Sequence, residues 1–410
     1  MQIRKLYRTI EAIAAKSFAK DEELLKHVLD EITSNRETGL YGGRAWKFES
    51  RTGSYVLLHQ VGEMDAIKKN YRVRLKDYPV FTQLPHERTV LAKEEDQYLR
   101  KRGIFRYSAT GVGEKLTWRG KPVYKYVLAF NADHQHSEDL TSTLNIISAA
   151  VTTALRSRKL EAKAKVLERD LDKARDIQRS ILPEHEMKFH KYDMYGVSLA
   201  ERIVGGDFFD YLQVEHDTER LGVVIGDATS KGVSAAVEAL YVSGALRMGF
   251  EFQTKISDLL KRVNKLVNKT FSDDHFISLF YCELTNDKSG LVLYSNCGHN
   301  SPLLYRAESN TIEIIETTGQ LIGPFPKETF RTENFHMKKG DILLLYTDGV
   351  TEARNEDGIF YGEERLSTQL VSHRKLSPME ITQRLLDDVQ RFSAMDEHAD
   401  DKTILTIKRS

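Results

Sequence analysis

The sequence predicts a multidomain α+β protein: an α/β N-terminal domain, a long helical linker and a C-terminal domain of strands and helices. Three observations carry that expectation. At 410 residues the chain exceeds one ordinary domain. Its formal net charge of zero hides two unlike halves, with 34 Lys+Arg against 24 Asp+Glu in residues 1–182 and 26 against 36 in residues 183–410. Between two regions of +10 and −10 lies a charged stretch with helical spacing that stops at Pro183. The expected boundaries are 1–155, 156–183 and 184–410.

Composition excludes several classes. With 40% apolar residues the chain can build a core, which rules out global disorder. No uncharged apolar run approaches the roughly 18 residues needed to span a bilayer, so no membrane segment is expected. The first 20 residues are basic and amphipathic but lack the continuous apolar stretch of a signal peptide. They run on into the acidic segment Asp21–Asp30, which favours a helix over a transit peptide. Cys282 and Cys297 have no metal-type spacing and read as reduced thiols of a cytoplasmic protein.

Each element follows from local pattern. Ile3, Leu6, Tyr7, Ile10, Ile13 and Ala14 recur at helical spacing. After a break at Ser17–Lys20, Leu24, Leu25, Val28, Leu29 and Ile32 resume it. Glycine-rich turns then separate strand-like runs at Ser54–Gln60, Tyr71–Leu75 and Val123–Phe130. Arg72, Arg74 and Lys76 alternate, which fits a solvated strand face better than a nucleic-acid surface. Ser137, Glu138 and Asp139 give a helix start, with a capping hydroxyl and acids in the first turn. Leu160, Ala164, Leu167, Leu171, Ala174, Gln178 and Ile181 alternate by four and three, an a/d seam to be buried either on the chain's own domains or, the reading its charged flanks favour, in a homodimeric coiled coil whose register Gln178 could help set. Beyond Tyr192, strands are expected at Leu221–Ile225, Phe276–Tyr281, Gly290–Ser295, Ile342–Tyr346 and Thr403–Ile407, and helices at Ser234–Met248, Ile256–Lys269 and Pro378–Phe392.

Four acidic positions share one context, a strand end beside glycine or another aspartate: Asp207 after Gly205-Gly206, Asp227 after Gly226, Asp348 before Gly349, and Asp400-Asp401. A carboxylate at the end of a buried strand is costly unless it is paired or bound to a cation. Several together repel one another, and a divalent metal relieves that repulsion. All-oxygen ligands favour Mg²⁺ or Mn²⁺ over Zn²⁺. Asp210, Asp341 and Asp357 read instead as turn or capping residues.

The ordered motifs VGGDFFD (204–210), GDATSKG (226–232), NCGHNSPLLY (296–305), GQLIG (319–323), GDILLLYTDGVTEARNEDG (340–358) and DDKTILTIKR (400–409) resemble the bacterial PPM/PP2C-type serine phosphatases of the SpoIIE/RsbU group. ARDIQRSILP (174–183) resembles that group's helical lead-in. The resemblance implies an αββα sandwich with two Mn²⁺ or Mg²⁺ ions between the sheets. Asp207, Asp227, Asp348 and Asp400 match the catalytic metal-binding aspartates, with Asp227 bridging, the Ala228 carbonyl completing a shell, and Asp401 a candidate in place of Asp400. It implies hydrolysis of phosphoserine or phosphothreonine by metal-activated water, with no nucleophilic side chain and no phospho-enzyme. Its usual substrates are STAS-domain anti-sigma-factor antagonists in partner-switching pathways. The family commonly has Gly where Ser230 stands, and the proton donor is unassigned. His299 is a candidate for that role or for supporting its own turn. Cys297 reads as a core residue.

For residues 1–155 the helix–strands–helix layout, clearest in VYKYVLAFNADHQHSEDLTSTLNIISAAVTTAL, resembles a GAF-type sensor domain. That implies a small ligand of unknown identity and control of the phosphatase through the linker helix. Two rival readings fit less of the sequence. Gly205-Gly206-Asp207 resembles the signature of diguanylate cyclases, but Phe208 stands where that family has an acid. A non-catalytic dimeric sensor with a docking module would leave four aspartates in one context unexplained.

Overall fold

The computed structural model describes residues 18–34, 40–63, 65–132, 138–201, 203–214, 217–252, 254–272, 274–393 and 400–410. The helix expected from Ile3 and the Ser137 cap lie outside the described residues. The chain divides into two compact units, Met1–Leu167 and Glu168–Ser410.

In the first unit a six-stranded antiparallel sheet has the order β3-β2-β1-β6-β5-β4. Its strands are β1 (Leu40–Glu49), β2 (Ser54–Gly62), β3 (Arg72–Arg74), β4 (Thr89–Lys93), β5 (Arg106–Trp118) and β6 (Lys121–Ala132). Helix α1 (Asp21–Ser34) and the start of α2 (Glu138–Ile181) cover one face. Leu24, Leu25, Val28, Leu29 and Ile32, the residues at helical spacing, pack there with Leu144, Ile147 and Val151. The other face buries Trp46, Tyr55, Tyr78, Phe81 and Tyr107. Arg72 and Arg74 project from β3 into solvent, and Arg72 pairs with Glu49. Arg72 and Arg74 thus sit on a solvated strand face, whereas Lys76, also exposed, falls in the 3-10 turn Leu75–Asp77 that follows the strand.

The second unit is a sandwich of two antiparallel sheets, ordered β15-β12-β11-β10-β9 and β14-β13-β16-β17-β8-β7. The strands are β7 (Glu186–Phe189), β8 (Tyr192–Leu199), β9 (Phe208–Leu212), β10 (Arg220–Ala228), β11 (Ile277–Thr285), β12 (Leu291–Cys297), β13 (Leu303–Arg306), β14 (Thr311–Ile314), β15 (Glu333–His336), β16 (Ile342–Tyr346) and β17 (Lys402–Arg409). Helices α3 (Val233–Glu251) and α4 (Ile256–Thr270) pack on the first sheet, and α5 (Glu363–His373) and α6 (Pro378–Phe392) on the second.

This layering explains why the strands read as continuous apolar runs. In β16, Leu343 and Leu345 enter the core between the sheets, while Ile342, Leu344 and Tyr346 meet the helices outside. Truncating one of these, such as Leu345→Ala, removes its transfer energy and leaves a cavity, at a cost of about 2–5 kcal/mol. Helix α6 starts at a capping box: Ser377 accepts from the Glu380 N–H, the Glu380 carboxylate accepts from the Ser377 N–H, and Pro378 opens the first turn.

The linker helix corrects one expectation. Leu160 and Leu167 stay 61% and 62% exposed, as an unpaired seam would be, but Gln178 is buried. Its side-chain amide donates to the Gly205 carbonyl at 2.7 Å and accepts from the Gly205 N–H at 3.3 Å. Gln178 therefore holds a loop of its own unit instead of setting register between two helices. The heptad spacing groups residues onto one face but does not say what covers that face.

Candidate active site

Topology gathers the aspartates. Strand β9 runs antiparallel to β10, so Asp207 at the start of one meets Asp227 near the end of the other. Strand β16 runs antiparallel to β17, which places Asp348 beside Asp400 and Asp401. The glycines permit the approach. A Cβ at Gly205 would come within 2.4 Å of an Asp401 carboxylate oxygen, and one at Gly349 within 2.0 Å of the Asp401 carbonyl. Any side chain at either position would push these segments apart.

Asp207 is buried, and its Oδ2 accepts from Thr347 Oγ1 at 2.6 Å and Thr403 Oγ1 at 2.8 Å. These are the threonines of the TDG and DDKT motifs, whose role the sequence reading missed although both residues lay inside the motifs it quoted. Burial pushes the Asp207 carboxyl well above the usual range, and the charge of Asp227 adds to the shift. Asp227 is raised to about 7, first by burial and then by Asp348 and Asp400, with Asp207 within hydrogen-bonding reach. Asp348 is raised by burial, Glu352 and Asp400. Among the described residues no Lys or Arg pairs with Asp207, Asp227 or Asp348. Without a cation, two such carboxyls hold a proton between them.

Asp400 and Asp401 differ. Both oxygens of Asp401 bind backbone: Oδ1 accepts from the Glu201 N–H at 2.7 Å, and Oδ2 from the Gly206 N–H at 2.6 Å. The Asp400 carboxylate is exposed and stands 3.7 Å from Lys231 Nζ. The Ala228 carbonyl faces the same loop, where a Cβ at Gly206 would approach it to 2.9 Å. The donor set is entirely hard oxygen, which suits Mg²⁺ or Mn²⁺. Among the described residues no three His, Cys, Asp or Glu side chains form a compact ion-binding group, so the array is loose.

The remaining candidates fall into place. His299 is fully buried, its Nδ1 lies 2.8 Å from Ser278 Oγ, and burial lowers its pKa to about 4. It is neutral at pH 7, and its backbone forms reciprocal hydrogen bonds with the Asn296 side chain, which supports the NCGH turn. Cys297 is buried and its thiol is pushed up to about 12, as befits a core residue. Asp341 accepts from the backbone of Lys338 and Ala307 and pairs with Arg306, a structural role. Asp210 departs from the turn or capping role expected of it: it lies within β9, buried, where Ser243 and Arg247 satisfy its carboxylate. Arg247, which sequence reasoning did not single out, also donates to the Ile181 carbonyl at 2.7 Å, at the end of α2.

A family model described as Stage II sporulation protein E (SpoIIE) matches residues 217–410. The phosphoserine phosphatase RsbU of Bacillus subtilis (strain 168) is 25% identical over 240 residues, covering 58% of this chain and 70% of RsbU. The phosphoserine phosphatase RsbP of the same organism is 24% identical over 245 residues, covering 58% of this chain and 57% of RsbP. Among solved structures, the SiaA-PP2C domain of Pseudomonas aeruginosa superposes with a TM-score of 0.53 at 19% identity, covering 62% of this chain and all of that domain. That likeness establishes the fold.

Proposed function

Since the C-terminal region of this chain belongs to the SpoIIE/RsbU group of PP2C-type protein serine/threonine phosphatases, we propose that it hydrolyses phosphoserine or phosphothreonine at a metal centre held by Asp207, Asp227, Asp348 and Asp400, with the Ala228 carbonyl. One observation carries this reading. Asp207 and Asp227 face one another across β9 and β10, Asp207 raised by burial and the charge of Asp227, and Asp227 by burial and the charges of Asp348 and Asp400, and among the described residues no Lys or Arg pairs with either. Asp227, beside Asp207 and within the field of Asp348 and Asp400, would hold a cation jointly with them, in keeping with the bridging role the resemblance implies. Asp401, with both oxygens on backbone N–H groups, positions the loop instead. Bound divalent cations would supply the Lewis acidity that activates water and offsets charge on the phosphoryl oxygens.

The protein's own residues shape the site. Thr347 and Thr403 hold the Asp207 carboxylate in one orientation. Gln178 fixes the preceding Gly205 peptide. Because α2 ends on this loop, we read the helix as the route by which a GAF-like sensor and its ligand, or dimerisation along the exposed seam, govern the phosphatase. RsbU and RsbP are named as phosphoserine phosphatases. By that likeness the substrate class is a phosphoserine protein, with a STAS-domain anti-sigma-factor antagonist as the leading case. The test is hydrolysis of p-nitrophenyl phosphate and a phosphoserine peptide by the full chain, stripped with EDTA and then resupplied with Mn²⁺ or Mg²⁺. Turnover that appears only with metal is expected. Equal turnover with and without metal would sink the assignment.

A further inference from the structure

Position 238 lies on the buried face of α3, among Ala235, Ala239 and Val242, where helical spacing calls for an apolar residue. A glutamate stands there instead, 1% exposed. A buried carboxylate is costly without hydrogen bonds. Glu238 Oε1 collects three: from Ser230 Oγ at 2.6 Å, Ser234 Oγ at 3.3 Å and His275 Nδ1 at 2.6 Å. Ser230 belongs to the GDATSKG loop, Ser234 to the first turn of α3, and His275 to the approach to β11. One oxygen thus joins three chain segments. Among the described residues its partner Oε2 has no hydrogen-bond partner.

The joined loop is the one that leaves the candidate metal site. Thr229, next to Ala228, is laced to Phe276: its N–H donates to the Phe276 carbonyl at 3.1 Å, and its Oγ1 accepts from the Phe276 N–H at 3.1 Å. Two residues further on, Lys231 reaches Asp400. A backbone carbonyl can serve as a ligand only if its peptide plane is held, and the lacing at Thr229 holds one side of it. The His275–Glu238–Ser230 chain anchors that lacing to the helix. His275 faces Glu238 and, at 3.9 Å, Asp274, and its ring stacks on Phe271.

We propose that Glu238 is a positioning residue which, through Ser230 and His275, fixes the peptides after Asp227 and so sets how tightly the Asp227–Ala228 pair binds a divalent cation. This rests on the reading of Asp227 and Ala228 as metal ligands. Groups that orient metal ligands typically change affinity by about 10- to 100-fold when removed.

The test is direct Mn²⁺ binding to the full chain, read as free Mn²⁺ by electron paramagnetic resonance, alongside the melting temperature. His275→Ala and Ser230→Ala are each expected to weaken Mn²⁺ binding about 10-fold. His275→Gln, which keeps an N–H donor, should recover most of the loss. Glu238→Gln should weaken binding at least as much. Should it fail to fold, the two half-buried variants decide. Mn²⁺ affinity within twofold of wild type in both His275→Ala and Ser230→Ala would overturn the proposal while leaving the metal site standing. Wild-type protein that binds no Mn²⁺ would overturn both.

Discussion

Asp207 and Asp210 are three residues apart on one short stretch, and both are buried. The strand period sends them to different faces. Asp207 is on the side of Phe209 and Tyr211, toward the interior between the sheets, and Asp210 is on the side of Phe208 and Leu212, toward the helices. Asp210 meets Arg247 at 2.6 Å and Ser243 at 3.0 Å. Among the described residues the Asp207 carboxylate meets two hydroxyls and the charges of Asp227 and Asp401. A buried carboxylate that the protein neutralises is structural. One that it leaves unneutralised, beside a second of the same kind, keeps room for a cation from outside.

Substitution at each site tests that contrast most severely. Asp207→Asn or Asp227→Asn should lower kcat on p-nitrophenyl phosphate by about 10³-fold, with the melting temperature held or raised. Asp210→Asn should instead cost about 2 kcal/mol of stability in urea titrations, with Mn²⁺ affinity unchanged. If Asp210→Asn lost metal binding, the contrast would be wrong.

Acidity sharpens it next. A carboxyl raised in the folded state holds a proton that the unfolded chain has already lost, so its contribution to stability falls as pH rises. For Asp227 that window runs from the unfolded value near 3.8 to about 7. The metal-free chain should therefore melt several degrees lower at pH 8 than at pH 5.5. Saturating Mn²⁺ should flatten that slope, as followed by calorimetry. An unchanged slope would place the cation elsewhere.

Smaller effects concern the support around each residue. Gln178→Leu removes both hydrogen bonds to Gly205 and should lower kcat about 10-fold through misplacement of Asp207, with little change in melting temperature. The subtlest case is the exposed stripe of α2. Leu167→Asp with Leu171→Asp should change the oligomeric mass in light scattering and the turnover together. If both stayed constant, the stripe would be no dimer seam.

The sequence made the apolar skeleton legible. Ile342–Tyr346 and Pro378–Phe392 agree with the structure to the residue, because one is a run buried on both faces and the other opens on Ser-Pro with Glu at the right spacing. Helix α5 and the short strands β13 to β15 were not foreseen. Gly362, at the start of α5, offers no side-chain cap, and the burial pattern of β14 barely departs from that of a loop. The motif aspartates could be named because glycine and strand ends flank them. Their partners could not, apart from the threonines already inside the motifs. Gln178, Arg247, Glu238 and His275 act across 27 to 37 residues of sequence, and each on its own looks like an ordinary helical or loop residue.

The end of α2 has one more consequence. Gln178 grips Gly205 just ahead of Asp207, and the Ile181 carbonyl grips Arg247, which holds Asp210 just behind it. The two grips lie three residues apart, so at about 100° per residue they are offset by roughly 60° around the helix axis. A pull along the axis would carry both grips the same way and leave the span between them intact. A twist would swing them along different directions and shear that span.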